Sequence, residues 1–235
     1  MLEAVLFDWG DTLMLWAWEP DLLAAGHDAG LHAIGREPSP AMTARFTEVY
    51  LPLLWVPGTL EEIEYPAFVK RLLAEEGIDV DDEELDRFLD AEHAAWAPAR
   101  QLASTTHALL EALRDRGLKL GLVSNAFDPP ELLHRDLADL GVADRLDVAV
   151  FSSEVGRRKP HPDIFRRALD AIGVPPAHAL FVGDTLATDI AGAAALGMHT
   201  CQALWFRADE DPDAAEPDFR AFTQMDVMTA VRRLR

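Results

Sequence analysis

The sequence predicts a doubly wound, mostly parallel α/β sheet with an inserted helical segment. From Ser104 to the C-terminus, short apolar strands alternate with short helices. One more apolar strand, Ala4–Phe7, opens the chain, and about eighty residues with helical periodicity separate it from the alternating region. Strands that alternate with helices are typical of a parallel sheet whose two faces are covered.

The opening strand ends in a carboxylate. Asp8 follows the apolar run directly and enters a tight turn that contains Gly10. An α/β protein can expose a nucleophile in this way, at the end of a buried strand.

Helical periodicity dominates the residues that follow. Leu22, Leu23, Leu31 and Ile34 form an apolar stripe at helical spacing. Prolines separate this stripe from the next ones. The predicted helices span residues 21–34, 40–51, 61–75 and 83–95.

The alternating region is divided by glycines at predicted helix ends. Gly117, Gly141, Gly173 and Gly197 each occupy the position after a helix that favours glycine. The acidic, proline-containing residues 207–218 are expected to form a solvated loop. The predicted helices span residues 106–116, 130–140, 163–172, 187–196 and 225–234, and the predicted strands span residues 118–123, 148–151, 179–182 and 200–204.

Composition narrows the possible partners and the location. The 235 residues are 49% hydrophobic, enough for a sizeable core, and carry a net charge of −20. Such an acidic chain repels nucleic acid and anionic membranes, and no apolar run approaches the length of a membrane span. Cys201 is the only cysteine, which excludes an intramolecular disulfide. With no basic, apolar leader at the start, the sequence predicts a cytoplasmic protein.

Polar side chains follow four of the predicted strands. Ligands of open parallel sheets bind outside the carboxyl ends of the strands, so these groups are expected to converge on one crevice. Phosphoryl chemistry uses such groups: a carboxylate nucleophile, a hydroxyl and an ammonium that hold phosphate oxygens, and oxygen ligands for Mg²⁺. The clusters are Asp8 with Asp11, Ser124 with Asn125, Lys159, and Asp184 with Asp189.

In order and spacing, these clusters resemble the four motifs of the haloacid dehalogenase-like hydrolases, most of which are Mg²⁺-dependent phosphatases. The resemblance covers nearly the whole chain. It rests on Asp8, Thr12 and Leu13; on Val123-Ser124-Asn125; on Lys159-Pro160; and on Gly183-Asp184 with Asp189.

The resemblance implies a role for each residue. Asp8 would be the nucleophile and a metal ligand, and Asp11 and Lys159 would be the other catalytic residues. Ser124, Asn125, Lys159 and Thr12 would bind the substrate. The carbonyl of Gly10, together with Asp184 and Asp189, would complete the Mg²⁺ site.

The resemblance also places an inserted domain. The helical residues lie between Asp8 and Ser124, whereas only one βα unit separates Ser124 from Lys159. This spacing is similar to that of members with a C1-type helical cap, here residues 16–98, over a Rossmann-like core of residues 1–15 and 99–235. Such caps close over small substrates, so a small phosphorylated molecule is expected.

Motif I departs from the family pattern. Phosphatases of the family carry a second Asp two residues after the nucleophile, which protonates the leaving group and then activates water. Here Gly10 occupies that position and Asp11 follows it. In one interpretation Asp11, or a metal-bound water, takes over the acid–base role and the protein is a phosphatase.

A second interpretation is a different reaction of the family, that of a dehalogenase or of a phosphonatase. Dehalogenases of the family lack the second Asp, and Arg36 and Arg45 could supply their arginine, but Phe165 replaces their aromatic hydroxyl. Phosphonatases carry a Trp and a small residue after the nucleophile, to which Trp9-Gly10 is similar, and Lys70 would have to be their Schiff-base lysine. The last interpretation is a non-catalytic protein that binds a phosphorylated ligand.

Tryptophans concentrate where the chain enters the helical segment. Trp9, Trp16 and Trp18 lie within ten residues of one another. Part of this cluster is expected to line the substrate pocket, which favours an apolar or aromatic leaving group.

Overall fold

The computed structural model describes residues 1–17, 19–54, 59–207, 211 and 214–235. Trp18 and most of residues 208–213, which belong to the predicted loop, lie outside the described residues.

Eight strands and ten α-helices make up the described chain. The strands are β1 (Ala4–Phe7), β2 (Met14–Trp16), β3 (Arg100–Leu102), β4 (Lys119–Ser124), β5 (Val148–Phe151), β6 (Ala179–Gly183), β7 (His199–Ala203) and β8 (Phe219–Ala221). The helices are α1 (Pro20–Ala33), α2 (Pro40–Leu54), α3 (Tyr65–Glu75), α4 (Asp82–Ala95), α5 (Thr106–Arg114), α6 (Pro130–Asp139), α7 (Ser152–Val155), α8 (Pro162–Ile172), α9 (Ala191–Ala195) and α10 (Val227–Leu234).

Six strands form a parallel sheet in the order β5-β4-β1-β6-β7-β8. Alternate residues of β1 face opposite sides: Val5 and Phe7 pack with α5, α6 and α10, whereas Ala4 and Leu6 pack with α8 and α9. The two covered faces confirm the doubly wound α/β sheet.

The centre of the sheet brings the polar clusters together. β1 pairs with β4 on one side and β6 on the other, with Phe7 opposite both Leu122 and Val182. Asp8 continues this pairing, because its backbone N–H donates to the carbonyl of Val182 at 2.9 Å. The ends of the three strands therefore lie side by side at one edge.

Helices α1 to α4 pack around a second hydrophobic cluster, which Phe127 and Leu132 join from the other side and which includes Leu23, Phe46, Tyr65, Phe88 and Trp96. Two glycines let α1 approach its neighbours. A Cβ at Gly30 would lie 2.7 Å from the ring of Phe88, and one at Gly26 would lie 2.0 Å from the indole nitrogen of Trp96. We call residues 20–95 the helical segment; the exact domain boundaries stay a prediction.

A two-stranded antiparallel ribbon joins the helical segment to the sheet. In it, Met14 lies opposite Leu102 and Trp16 opposite Arg100. The sequence did not indicate β2 and β3, because strands of three residues are too short to show alternation.

Two predicted helices differ from the observed ones by four residues or more at an end. The helix expected over residues 61–75 begins only at Tyr65, because Pro66 favours the first turn and residues 61 and 62 pair instead with the loop at Gly156 and Arg157. The helix expected over residues 187–196 is a single π-helical turn, Leu186–Ile190, followed by α9.

None of the helices in the described parts of the chain combines the length and apolar character that a membrane crossing requires.

Candidate active site

Asp8 and Lys159 form a buried ion pair at the end of β1. Lys159 Nζ lies 2.5 Å from Asp8 Oδ1 and 2.7 Å from Asp189 Oδ1. Burial alone would lower the pKa of Lys159, but the charges of Asp189 and Asp8 outweigh burial and raise this pKa. The lysine is therefore a permanent cation between two carboxylates.

Asn125 fixes the backbone of Lys159. Its side-chain oxygen accepts from the N–H of Lys159 at 2.7 Å, and its side-chain nitrogen donates to the carbonyl of Lys159 at 3.2 Å. The amide is thus engaged with the protein chain, and both Asn125 and Ser124, the residue before it, line the cavity described below. Substrate binding by Asn125 and Ser124 stays a prediction.

Three buried carboxylates meet in this region. One oxygen from each of Asp8, Asp184 and Asp189 lies within 4.8 Å of the other two. Burial raises the pKa of Asp184 and of Asp189, and the negative charge of Asp8 adds to the shift. Carboxylates that repel one another in a dry site are suited to a hard divalent cation, which takes oxygen ligands.

The π-helical turn after β6 brings Asp189 into this group. Asp189 Oδ2 accepts from the backbone N–H of Thr185 at 3.1 Å. The carboxylate packs against Gly183 so closely that a Cβ at this position would lie 2.4 Å from Asp189 Oδ2. Only a glycine at the end of β6 leaves room for the acid.

Thr12 lies apart from the residues that line the cavity. Its side chain is fully buried, and Oγ1 has no hydrogen-bond partner in the parts of the chain that the structure describes. Its carbonyl accepts from Trp205 Nε1 at 2.8 Å. These contacts give Thr12 a structural place in the turn, and its predicted contact with substrate remains a prediction.

Asp11 has a left-handed backbone, with a φ of 55°. Its Oδ1 accepts from the backbone N–H of Trp16 at 3.1 Å, and its Oδ2 lies 2.6 Å from Arg207 Nη2. Beside it, a Cβ built on Gly10 would meet no heavy atom within 4 Å. The position two residues after Asp8 therefore has free space, and the adjacent carboxylate is engaged elsewhere.

Sequence reasoning missed Arg207, the first residue of the predicted solvated loop. Arg207 also contacts Asp184, with Nε 2.9 Å from Oδ2. Trp205-Phe206-Arg207 comes soon after β7, so the rule that located the other polar groups at strand ends could have located this one.

A cavity of about 270 Å³ extends from the carboxylates toward the helical segment. One end of it, which we call the catalytic end because the sequence predicts the catalytic residues there, holds Asp8, Asp11, Lys159, Asp184 and Asp189. Aromatic side chains form much of the wall: Trp9, Trp16, Tyr50, Trp96 and Phe127. This placement of Trp9 and Trp16 agrees with the expected aromatic pocket.

A buried ion network lines the same cavity. His93, only 3% exposed, contacts Asp128 through Nδ1 at 3.0 Å and Asp136 through Nε2 at 2.9 Å. Arg100 Nε lies 3.1 Å from Asp136. Burial alone would lower the pKa of His93, but the two carboxylates outweigh it and raise the pKa to about 9. The imidazole is therefore cationic at neutral pH and donates from both nitrogens.

The cationic residues that the dehalogenase and phosphonatase interpretations require lie outside this cavity. Lys70 is exposed and pairs with Asp82 at 2.8 Å. Arg45 pairs with Glu75 at 3.5 Å, and Arg36 is exposed. Among the described residues, Lys159 is the only lysine that lines the cavity.

Curated relatives match part of the chain. Phosphoserine phosphatase of Thermus thermophilus is 38% identical over 126 residues, which is 52% of this chain and 48% of that protein. The pyrimidine 5'-nucleotidase of Escherichia coli is 36% identical over 113 residues, 47% of this chain and 48% of that protein. The chain spans about half the length of the curated relatives it matches.

Solved structures match the whole fold. A HAD phosphatase from Thermococcus onnurineus superimposes with a TM-score of 0.67 at 25% identity, over 98% of each chain. A 2-haloacid dehalogenase from Pseudomonas syringae superimposes with a TM-score of 0.69 at 24% identity, over 100% of each chain, which shows a shared fold. The family profile described as haloacid dehalogenase-like hydrolase matches residues 2–197. The chain therefore belongs to the haloacid dehalogenase-like hydrolase family.

Proposed function

We propose that this protein is a Mg²⁺-dependent phosphatase that hydrolyses a small phosphate ester through an aspartyl-phosphate intermediate. The observation that carries the proposal is the group of Asp8, Asp184 and Asp189 around the ammonium of Lys159. It combines a carboxylate nucleophile, a cation for phosphate oxygens and a set of hard oxygen ligands at one edge of the sheet.

The donor set fits Mg²⁺. Asp8, Asp184 and Asp189 would hold the ion, and the carbonyl of Gly10 is the expected fourth protein ligand. Mg²⁺ prefers carboxylate oxygens and water over nitrogen or sulfur ligands. When bound, the ion would neutralise phosphate charge and so let the anionic substrate approach an anionic nucleophile.

Asp8 would attack phosphorus. A bond from its carboxylate oxygen to phosphorus forms, the bond from phosphorus to the ester oxygen breaks, and the departing alkoxide takes a proton to leave as the alcohol. Water then attacks the phosphorus, which releases inorganic phosphate and regenerates the Asp8 carboxylate. Lys159 would stabilise the charge on the phosphoryl oxygens in both steps.

The source of the leaving-group proton is the unusual feature of this site. Gly10 has no side chain to supply it. Asp11 lines the cavity, but both of its oxygens contact donors, Trp16 N and Arg207. Loss of an acid–base group typically costs about 10²–10⁴-fold in rate, so a slow phosphatase is expected.

The cavity and the relatives both favour a small substrate. A volume of about 270 Å³ suits a small metabolite, and the helical segment, acting as a cap, would cover it. Curated relatives are named for phosphoserine, ribulose-1,5-bisphosphate and glyceraldehyde 3-phosphate. The net charge of −20 argues against nucleic acid as a substrate. A cytoplasmic location is part of the proposal, since the one cysteine, Cys201, is buried and free.

A phosphate-release screen over small phosphate esters, with and without Mg²⁺, tests the proposal. We expect release with Mg²⁺ and its loss in Asp8→Asn, which keeps the side-chain shape but removes the nucleophile. Asp90→Asn is the matched control, because Asp90 is an exposed carboxylate that pairs with Arg135 outside the catalytic end. An Asp8→Asn protein that releases phosphate at the wild-type rate contradicts the mechanism.

A further inference from the structure

Arg207 connects two strand ends that are far apart in the sequence. Its Nη2 lies 2.6 Å from Asp11, which follows β1, and its Nε lies 2.9 Å from Asp184, which follows β6. One planar guanidinium thus contacts the altered part of motif I and one of the three clustered carboxylates at the same time.

The segment that carries Arg207 is fixed at two points just before it. The backbone N–H of Leu204 donates to the carbonyl of Ala221 at 2.8 Å. Trp205 Nε1 donates to the carbonyl of Thr12 at 2.8 Å. The second contact ties this segment to the same turn that holds Asp11, so the guanidinium and the Asp11 carboxylate are held close to each other.

The contacts of Asp11 leave it no free oxygen. Oδ1 accepts from the N–H of Trp16, and Oδ2 faces the guanidinium. A general acid must carry a proton on an oxygen that points at the leaving group. Oδ2 of Asp11 contacts the guanidinium of Arg207 instead, so the carboxylate is suited to hold this arginine in place.

The charges of the site depend on Arg207. Asp8, Asp11, Asp184 and Asp189 supply four carboxylates, and Lys159 and Arg207 supply two cations, so the formal charge is −2, which a divalent cation balances. Arg207 engages Oδ2 of Asp184, and the other oxygen, Oδ1, accepts from Thr185 Oγ1 at 3.2 Å, so these two contacts together fix the direction of the carboxylate. Groups that orient metal ligands in this way typically contribute 10–100-fold to metal affinity.

We propose that Arg207 is a positioning residue for the cation site, and that Asp11 serves as its anchor and does not protonate the leaving group. Arg207 holds the carboxylate of Asp184 in place within the cluster that it forms with Asp8 and Asp189, and Asp11 holds Arg207 in place. The Gly10-Asp11 exchange thereby changes the second carboxylate of the motif from an acid into a support of the metal site. The proposal rests on the proposed function for the identity of the ion, Mg²⁺.

Calorimetric titration of the protein with Mg²⁺, in the absence of substrate, tests this role. In Arg207→Gln we expect the dissociation constant for Mg²⁺ to rise about tenfold. Arg207→Lys should give an intermediate value, because one ammonium cannot make two contacts in a fixed plane. Arg220→Gln is the matched control: Arg220 is 46% exposed, follows in the same C-terminal part of the chain and pairs with Glu216 at 2.7 Å. Thermal melts without Mg²⁺ establish that each variant is folded.

A double-mutant cycle tests the part played by Asp11. Asp11→Asn should weaken Mg²⁺ binding in the wild type but cause no further loss in the Arg207→Gln background, because both changes remove the same support. Additive losses in the double variant overturn the anchor role. Arg207→Gln with wild-type or tighter Mg²⁺ binding overturns the positioning role, since the guanidinium would then be a bystander or a competitor of the ion.

The proposed function can fail separately. If Mg²⁺ binds and responds to Arg207→Gln while no ester is hydrolysed, the phosphatase proposal is wrong and the role of Arg207 stands. If esters are hydrolysed while the affinity for Mg²⁺ is the same in both proteins, only the role of Arg207 is wrong. A wild-type protein that binds no Mg²⁺ contradicts both.

Discussion

The turn after β1 determines which side chains reach the reacting end of the cavity. Asp8 is placed by the strand itself, through the pairing of β1 with β6. Asp11 lies three residues further, in a left-handed conformation that is unusual for a residue other than glycine, and its carboxylate contacts Trp16 and Arg207. Because Gly10 and Asp11 are exchanged relative to the family pattern, the second carboxylate of the motif differs in its direction as well as in its position.

Gly10→Asp should increase the rate of phosphate release. A Cβ at this position meets nothing within 4 Å, and Gly10 is outside the left-handed region, so the backbone accepts a side chain here without strain. The carboxyl group would stand at the position where phosphatases of the family carry their acid, and an acid–base group is typically worth about 10²–10⁴-fold. Steady-state kcat on an ester found in the screen measures the effect.

Gly10→Asn is the control for this substitution, because it adds the same volume without a titratable group. Equal rates in the Asp and Asn variants would mean that proton transfer does not limit turnover, or that the new carboxyl group does not reach the leaving group.

The residues at strand ends could be predicted from the sequence, whereas the contacts between distant parts of the chain could not. Asp8, Ser124 and Asp184 each follow an apolar strand, and parallel strands end at one edge, so local pattern and topology together predict that they meet. The bridge from Arg207 to Asp11 joins residues 196 positions apart. The strand-end rule could place Arg207 at this edge of the sheet, but no local pattern pairs it with Asp11, because an arginine before an acidic run is equally suited to a solvated loop.

At the scale of elements, helix and strand periodicity predicted the long segments and missed the short ones. The strand over residues 148–151 was predicted with the observed bounds of β5. β2, β3 and β8 have three residues each, too few for alternation to be visible, and they form through tertiary pairing. The π-helical turn before α9 was also missed. Its residues have ordinary helical character, and only the structure shows that Asp189 packs tightly against Gly183.

The ion network between α4 and α6 should make stability depend on pH. His93 of α4 lies between Asp136 of α6 and Asp128 of the loop before it, with Arg100 also on Asp136. The pKa of His93 is about 9 in the folded protein and about 6.5 in an unfolded chain. A raised pKa means that the folded state binds the proton more tightly. The stabilisation is therefore complete below pH 6.5 and is lost as the pH rises through 9.

Chemical denaturation between pH 6 and 10 measures this dependence. The free energy of unfolding should decrease over this range by at most about 3 kcal/mol, since a pKa difference of one corresponds to about 1.4 kcal/mol. In His93→Gln, which keeps polar contacts without titrating, the decrease should be much smaller. The same pH slope in both proteins would show that other groups cause it.

At the scale of the whole molecule, two connections join the helical segment to the sheet in addition to the ion network of His93 and the apolar contacts of Phe127 and Leu132. One is the ribbon of β2 and β3. The other is the loop before α3, where Glu62 accepts a hydrogen bond from Ser152 Oγ and lies 3.2 Å from Arg158. Arg158 and the adjacent Lys159 both line the cavity. The second connection therefore reaches the catalytic end. A movement of the helical segment that opens the cavity would have to break the contact between Glu62 and Arg158 or move Arg158 with it.

Glu62→Gln should loosen this second connection and leave the ribbon intact. The side chain of Glu62 is only 2% exposed, so its charge faces Arg158 with little screening by water. Loss of that charge weakens the backbone pairing beside it, where Glu62 N–H donates to the carbonyl of Gly156 and Arg158 N–H donates to that of Leu60. Hydrogen exchange at residues 59–64 and 152–158 should become faster, and KM should increase more than kcat decreases, because a less stable closed form binds substrate less tightly.

Glu61→Gln is the matched control, since the neighbouring Glu61 makes a similar pair with Arg157 at 2.8 Å but is 75% exposed and should contribute little. Faster exchange in both variants would assign the effect to the loop in general, whereas unchanged exchange in Glu62→Gln would show that the charge of Glu62 does not hold the second connection together.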